Sequence, residues 1–367
     1  MRTLTYAQAI REAHAQLLAA DARVFVIGQG LWSPWYAGAT LENLDREFGR
    51  SRIVDSPVSE NAVTGLAIGA ALAGLRPIVF HARMDFMLLA ADPIINQAAN
   101  WSYLFGGQQG VPLVIRAVIN RGGGQGAQHS QALHAMFMHV PGLKVVMPAT
   151  PADAKGLLMA ALADPNPVLY IDDRSLYAET GEVPEEPYCT PLGQAAVRRA
   201  GSDVTVVAVS SMVPLSLRAA ELLDRDGIQA EVIDLRTLKP WDRATVLASV
   251  ARTGRAVVCD PGWRTAGASA EVAAEISERA FADLRAPVAR VTLPDAPAPS
   301  SEAEEKAYYP GPETIAEAAR TLYAAFPTRR VGSRTLAHGG TVCEAEREVH
   351  RSPVVARSDA HAAQGSA

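Results

Sequence analysis

The sequence predicts an α/β protein made of two doubly wound domains with mainly parallel sheets. Three observations carry this. Short β-branched runs alternate with Ala/Leu-rich stretches almost throughout, the pattern of parallel strands joined by crossover helices. The chain has 367 residues, too many for one ordinary core and comfortable for two. A segment rich in proline and glutamate interrupts the alternation near its middle.

In the first half the strands read as VFVIG (24–28), RIVD (52–55), RPIVF (76–80), PLVIRAV (112–118), LKVVMP (143–148) and PVLYID (167–172). Between them lie the helical stretches ENAVTGLAIGAALAG, DFMLLAADPIINQAANWSYLF and TPADAKGLLMAALAD. The last opens on Thr150 before Pro151, an N-cap residue followed by proline at the first helical position. Residues 178–191 carry three prolines and four glutamates and read as a linker, because proline donates no ladder hydrogen bond. Alternation resumes with VTVVAVS (204–210), QAEVIDL (229–235), RAVVCD (255–260) and APVARVTL (286–293). The expected division is a first domain over 1–177, a linker over 178–191, a second domain over 192–327 and a tail over 328–367. The tail is small, polar and aperiodic, and disorder is expected there.

Hydrophobic residues make up 49% and charged residues 20%, a globular balance. A net charge of −5 gives no nucleic-acid footprint. Cys189, Cys259 and Cys343 are far apart and lack zinc or disulfide spacing. The first residues lack a signal peptide's apolar core, and no run reaches the roughly 20 apolar residues that span a bilayer. The expectation is a cytoplasmic protein with no membrane and no nucleic-acid partner.

Four local features in the first half point to chemistry. Asp55-Ser56-Pro57-Val58-Ser59-Glu60-Asn61 runs from a strand end into a helix start and places Glu60 in the first turn, where a carboxylate also complements the helix dipole. Arg121-Gly122-Gly123-Gly124-Gln125-Gly126-Ala127-Gln128-His129 follows an apolar strand, where open α/β sheets bind ligands; its glycines allow close backbone approach. It is not a Walker phosphate loop. His129 lies in the loop, whereas His134 and His139 read as structural or rim residues. Met84-Asp85-Phe86 offers a ring that either fills the core or stacks on a ligand. Ala161-Leu162-Ala163-Asp164-Pro165-Asn166-Pro167 is a helix end that either turns plainly into a strand or holds a hard cation.

In this order the four features resemble the beta subunits of the thiamine-diphosphate-dependent decarboxylating component of 2-oxo-acid dehydrogenases, of pyruvate, branched-chain and acetoin type. They also resemble the pyrimidine-binding and C-terminal domains of transketolase. SPVSENAVTGLAIGAALAGLRPI, DPIINQAAN, GAQHSQALHAMFMHVPGLKVVMPATPADAKGLL and EVIDLRTLKPWD carry the likeness, which runs from Thr5 to about Phe326. The resemblance implies that Glu60 contacts the cofactor's aminopyrimidine ring and that His129 stands at the active-site mouth. It places Phe86 beside the pyrimidine, with Gln29 as a further cofactor-side candidate. His81, Arg83, Arg121 and Gln128 are the substrate-side candidates. Leu113, Ala161, Leu162, Asp164 and Asn166 fall where some beta subunits hold K⁺.

The family binds the diphosphate through Mg²⁺ at a GDG…N motif, and no GDG occurs here. The resemblance therefore implies an alpha subunit carrying that motif, an α₂β₂ heterotetramer with beta–beta contact, and, in dehydrogenases, a lipoyl acyltransferase partner. The chain departs from the pattern at Gly28-Gln29-Gly30-Leu31-Trp32, which lacks an acidic pair, and at Val79-Phe80-His81-Ala82-Arg83, which lacks an acidic residue. These changes either favour an anionic or hydroxylated small-molecule substrate over the housekeeping pyruvate role or mark divergence at a subunit interface. The expected reaction is decarboxylation of a 2-oxo acid with transfer of an acyl or hydroxyalkyl fragment to a lipoyl group or a carbonyl acceptor. The alternatives are a split transketolase, moving a two-carbon ketol unit between sugars, and a non-catalytic scaffold subunit.

Overall fold

Val24–Gly28 lies between Ile53–Asp55 and Arg76–His81, parallel to both, with Gly28 opposite Asp55 and Phe80. These strands belong to a seven-stranded sheet whose order is 237–239, 144–146, 168–173, 114–119, 76–81, 24–28, 53–55. The computed structural model describes residues 2–33 and 35–325; the tail expected over 328–367, with Cys343, lies outside the described residues. Every residue of Val114–Ile119 and Val168–Asp173 is buried, as a parallel sheet covered on both faces requires. The second sheet has five strands, ordered 289–293, 256–263, 204–208, 230–234, 196–199, and is parallel except for its Ala196–Arg199 edge.

Helices cover these sheets where their caps predict. Tyr6–Ala20 starts at Thr5, whose side chain accepts from Gln8 N while Gln8 Oε1 accepts from Thr5 N, a reciprocal capping box. Pro151–Ala163 starts at Thr150, whose Oγ1 accepts from Asp153 N. One cluster of buried side chains includes Ile115, Phe137 and Met147 together with Ile233, Trp241 and Val258. The core is therefore continuous between the two sheets.

Four features differ from the sequence expectation. The stretch read as one helix over 85–105 is broken into Met84–Met87, a tight turn Leu88–Ala90, a π-wound turn Pro93–Ala98 and Ala99–Leu104. Pro93 supplies no N–H and crowds the carbonyl four residues earlier, so the regular ladder stops there. Within the stretch read as a linker, Thr180–Val183 pairs antiparallel with Arg2–Thr5. Thr237–Lys239 leaves the second half and joins the first sheet against Lys144–Val146. Ala196–Arg199 adds the antiparallel edge already noted. All four additional strands, Arg2–Thr5 included, pair with distant partners, which local periodicity does not display.

Candidate active site

The parallel strands Val24–Gly28, Ile53–Asp55, Arg76–His81 and Val114–Ile119 end on the same edge of their sheet. Ligands of open α/β sheets bind at such carboxyl ends. Here the segments after the first three strands form a small cleft lined by Gln29, Ser59, Glu60, His81, Arg83 and Phe86 among others.

Asp55 fixes the loop that carries Gln29. Its Oδ1 accepts from Gly30 N at 2.6 Å and Leu31 N at 3.3 Å. Gly30 has φ +72°, and a Cβ there would stand 2.3 Å from the Tyr36 ring, so glycine is required. Trp32 Nε1 donates to Ile53 O at 2.8 Å, closing the loop onto the neighbouring strand.

Glu60 is the first residue of the helix Glu60–Leu72, and Ser59 makes no side-chain cap bond to it. The free N–H groups of that turn favour a carboxylate. Glu60 has no hydrogen bond or ion pair to any other side chain among the described residues, so its oxygens remain available to a ligand. Phe86 is 36% exposed and meets the His129 ring edge-on, at 5.2 Å between centroids and 82° between planes. Asp85 Oδ1 accepts from Gln131 N at 3.2 Å, tying the Met84–Met87 turn to the loop that carries His129.

His81 is buried, with its Nε2 3.2 Å from Thr64 Oγ1. Burial pushes its pKa down to about 4, so the ring is neutral near pH 7. Arg83 Nη1 donates to the Ala82 carbonyl at 2.7 Å, and its guanidinium lies 6.0 Å from the Tyr36 ring centroid.

Other candidates lie apart from this cleft's lining. Arg121 forms an ion pair with Asp173 at 2.9 Å, donates to Pro261 O at 3.1 Å and sits 5.3 Å from the Tyr309 ring. Gln128 is exposed. His134 is buried against Asp260, and His139 is exposed.

The helix end at 161–166 is already charge-balanced. Lys144 Nζ donates to both Asp164 oxygens, at 2.8 and 2.7 Å, and Asn166 N donates to Asp164 Oδ1 at 2.9 Å. Arg76 donates to Leu162 O, and Val168 N donates to Leu113 O at 3.0 Å. With Asp164 neutralised by an ammonium, a bound monovalent cation would depend on the remaining carbonyl lone pairs, and no chemistry in the cleft draws on it. No group of three His, Cys, Asp or Glu among the described residues could hold a metal ion.

Two further groups carry the site and had no role assigned from sequence. Asp55 and Asp85 stand inside the quoted motifs, but local sequence does not reveal which backbone N–H groups they would accept from. The Arg174–Asn120–Gln125 chain, with hydrogen bonds of 2.8 Å at each link, braces the glycine loop from the neighbouring strand. It left no local signal.

Chemically, the cleft fits an aminopyrimidine: an unengaged carboxylate for a ring nitrogen, an accessible aromatic face, and the polar Gln29 and neutral His81 beside the Arg83 guanidinium. It does not fit a diphosphate with a divalent metal.

Residues 2–180 match the transketolase pyrimidine-binding domain, and residues 193–315 match the transketolase C-terminal domain. The chain is 42% identical to the acetoin:2,6-dichlorophenolindophenol oxidoreductase subunit beta of Cupriavidus necator, covering 87% of this chain and 97% of that one. It is 39% identical to the pyruvate dehydrogenase E1 component subunit beta of Rhizobium meliloti, covering 88% and 70%. Among solved structures, a split-gene transketolase in an inactive beta4 tetramer superposes with a TM-score of 0.71 at 23% identity, over 88% of this chain and 99% of that one. At that identity the superposition speaks for the fold.

Proposed function

The chain belongs to the transketolase-like family of pyruvate and acetoin dehydrogenase beta subunits, and from that premise we propose that it supplies the pyrimidine-side half of an active site shared with an alpha subunit. The reaction is thiamine-diphosphate-dependent decarboxylation of a 2-oxo acid, with the remaining fragment passed to a lipoyl or carbonyl acceptor. The observation that carries this is the unengaged Glu60 carboxylate, at a helix start, in one cleft with the Phe86 ring that His129 abuts.

When bound, thiamine diphosphate supplies a thiazolium carbon that acts as an electron sink beside a carbonyl. Glu60 holds a proton at a nitrogen of the aminopyrimidine ring and thereby sets its tautomer. Phe86 presents a face against which that ring orients. Gln29, on the loop anchored by Asp55, borders the same edge. His129 delivers or removes a proton at the substrate oxygen, work for which imidazole is suited near neutral pH. The lack of a metal-binding acidic cluster among the described residues fits a diphosphate and Mg²⁺ held by an alpha subunit with a GDG…N motif, in an α₂β₂ assembly.

The test is reconstitution. The tagged chain is purified from its native cells, its companions are identified, and bound thiamine diphosphate is assayed. Cofactor retained only with an alpha-like companion supports the shared site. A chain that comes down alone and binds no cofactor under any reconstitution sinks it.

A further inference from the structure

We propose that Glu305, in the second domain, is a positioning residue for His129 and acts by holding the glycine loop that carries it. The role given to His129 belongs to the functional reading above, on which this inference rests.

Glu305 is hard to explain by stability. It lies in the short helix Glu302–Tyr308, where Glu302 and Glu304 are exposed and Glu305 is 6% exposed. No lysine, arginine or histidine pairs with it among the described residues. Its Oε1 is buried with no hydrogen-bond partner. Its Oε2 accepts from one donor, Gly124 N, at 3.1 Å and 181 residues away in sequence. A single charge-assisted bond does not offset taking an unpaired carboxylate out of water. What the bond does accomplish is to fix Gly124.

That loop needs fixing. Residues 121–130 form no strand or helix, and Gly122, Gly123, Gly124 and Gly126 all have positive φ. Such backbone is ordered only at a high entropic cost, so its course depends on what grips it. At Gly124 the second domain comes so close that a Cβ would stand 2.7 Å from Ser300 O. Arg121, at the loop's start, donates to Pro261 O at 3.1 Å and lies 5.3 Å from the ring of Tyr309, four residues beyond Glu305. At the loop's far end Asp85 Oδ1 accepts from Gln131 N at 3.2 Å. His129 therefore stands between two carboxylate anchors, one from each domain, five residues after Gly124 and two before Gln131. Asp85 sets the loop against the Phe86 side of the cleft, and Glu305 sets it against the second domain. With one anchor released, the imidazole loses a placement in which an error of about 1 Å can cost on the order of 10²-fold in rate.

The experiment uses the reconstituted holo complex as wild type, Glu305→Gln, Glu305→Met, His129→Gln and the His129→Gln, Glu305→Met double variant. Gln keeps an acceptor for Gly124 N, whereas Met keeps the volume and removes the acceptor. Pyruvate serves as the 2-oxo acid and 2,6-dichlorophenolindophenol as electron acceptor. Glu305→Met is expected to lower kcat about tenfold or more while changing KM less than about threefold. Glu305→Gln should recover most of that loss. In urea unfolding Glu305→Met should be at least as stable as wild type, because a buried unpaired carboxylate is gone and the partly buried Gly124 N–H can turn to water. In the His129→Gln background the same substitution should change the residual kcat less than about twofold, since the group it positions is already absent. Amide exchange of the full chain should accelerate about tenfold over 122–130 in Glu305→Met and stay at the wild-type rate in Glu305→Gln. Unchanged exchange over 122–130 in Glu305→Met overturns the proposal. So does a kcat loss that persists undiminished without His129, one that Glu305→Gln shares in full, or one that only tracks a loss of stability. A wild-type complex that fails to bind cofactor counts against the functional reading instead, and the exchange rates then decide whether Glu305 holds the loop.

Discussion

His134 Nε2 stands 2.8 Å from Asp260 Oδ1, with both side chains buried and 126 residues between them in sequence. Asp260 also accepts from Gly262 N at 2.8 Å and Ser269 N at 2.7 Å. Burial opposes its charge, but His134 and these two N–H groups outweigh it and hold the carboxyl below its usual range. The short helix His134–Met138, five residues beyond His129, is thereby pinned to a strand of the second sheet. Removing one partner of a buried pair strands the other, so Asp260→Ala is expected to lose about 3–5 kcal/mol of stability. Urea unfolding of the two single variants and of the double variant measures the coupling; additive losses would mean the pair contributes nothing specific.

Glu60→Gln preserves shape and removes the carboxyl proton. Turnover of the reconstituted enzyme is expected to fall by about 10²–10⁴, the usual worth of a positioned acid–base group. The melting temperature and the elution of the complex should match wild type, because Glu60 holds no other residue in place. An active Gln variant would remove Glu60 from the mechanism.

Phe86 and His129 form an edge-to-face pair, so their substitutions should separate orientation from proton transfer. Phe86→Ala exposes one side of the pyrimidine site and unseats the His129 ring; weaker cofactor binding is expected, by about 1 kcal/mol or more. His129→Gln should leave cofactor affinity intact and lower kcat, which titration of thiamine diphosphate alongside steady-state kinetics resolves. Equal effects of the two variants on cofactor affinity would deny His129 a role in proton transfer.

Burial lowers His81 to about 4, and burial together with Arg116 lowers His14 to about 3. Both lie below the ordinary histidine value, so the unfolded chain binds protons first as pH falls. Stability is fully present above about pH 6.5 and is lost progressively toward pH 4 through His81 and toward pH 3 through His14. For His81 the loss is on the order of 3 kcal/mol. His81→Gln should flatten the limb between pH 6.5 and 4 in a series of urea titrations. The pH profile of kcat should keep any inflection near neutrality, since His81 does not titrate there; loss of that inflection in the Gln variant would contradict a permanently neutral ring.

Sequence displayed the central strands because each is a continuous β-branched run, and it displayed Thr150 because a cap followed by proline is a local signal. It also brought out Glu60, Phe86 and His129 as candidates, which the fold then gathers at one sheet edge. The strand pairing of Arg2–Thr5 with Thr180–Val183 was hidden, since each segment is short, polar and meaningful only beside the other. The winding of 84–104 was hidden for a different reason. Its apolar content satisfies a helix, and Pro93 marks where the ladder stops but does not show that the chain winds on through a π-turn. Arg121 illustrates the remaining limit: an arginine in a glycine loop suggests a ligand, yet its fork is taken by Asp173 and Pro261.

Beneath the cleft, Arg116 and Asp172 form a fully buried bidentate pair, with Nε–Oδ1 at 3.1 Å and Nη2–Oδ2 at 2.8 Å. Tyr177 donates to the same carboxylate, and the guanidinium lies 4.9 Å from the centroid of Phe80, a lining residue of the cleft. Burial opposes the Arg116 charge, but Asp172 and the surrounding hydroxyls outweigh it. Such a pair contributes little net stability, because desolvation offsets much of the attraction. Breaking it is another matter. Arg116→Met alone leaves an uncompensated carboxylate between two strands and is expected to cost about 3–5 kcal/mol. Adding Asp172→Leu should recover most of that loss, because an apolar pair of similar volume needs no partner. Urea unfolding of the three variants reads the cycle. Recovery of stability with lowered cofactor affinity would mean that the pair is kept to position Phe80 and not to hold the fold. Failure of the double variant to recover would assign the charge itself a structural role, with Tyr177 as its second dependent.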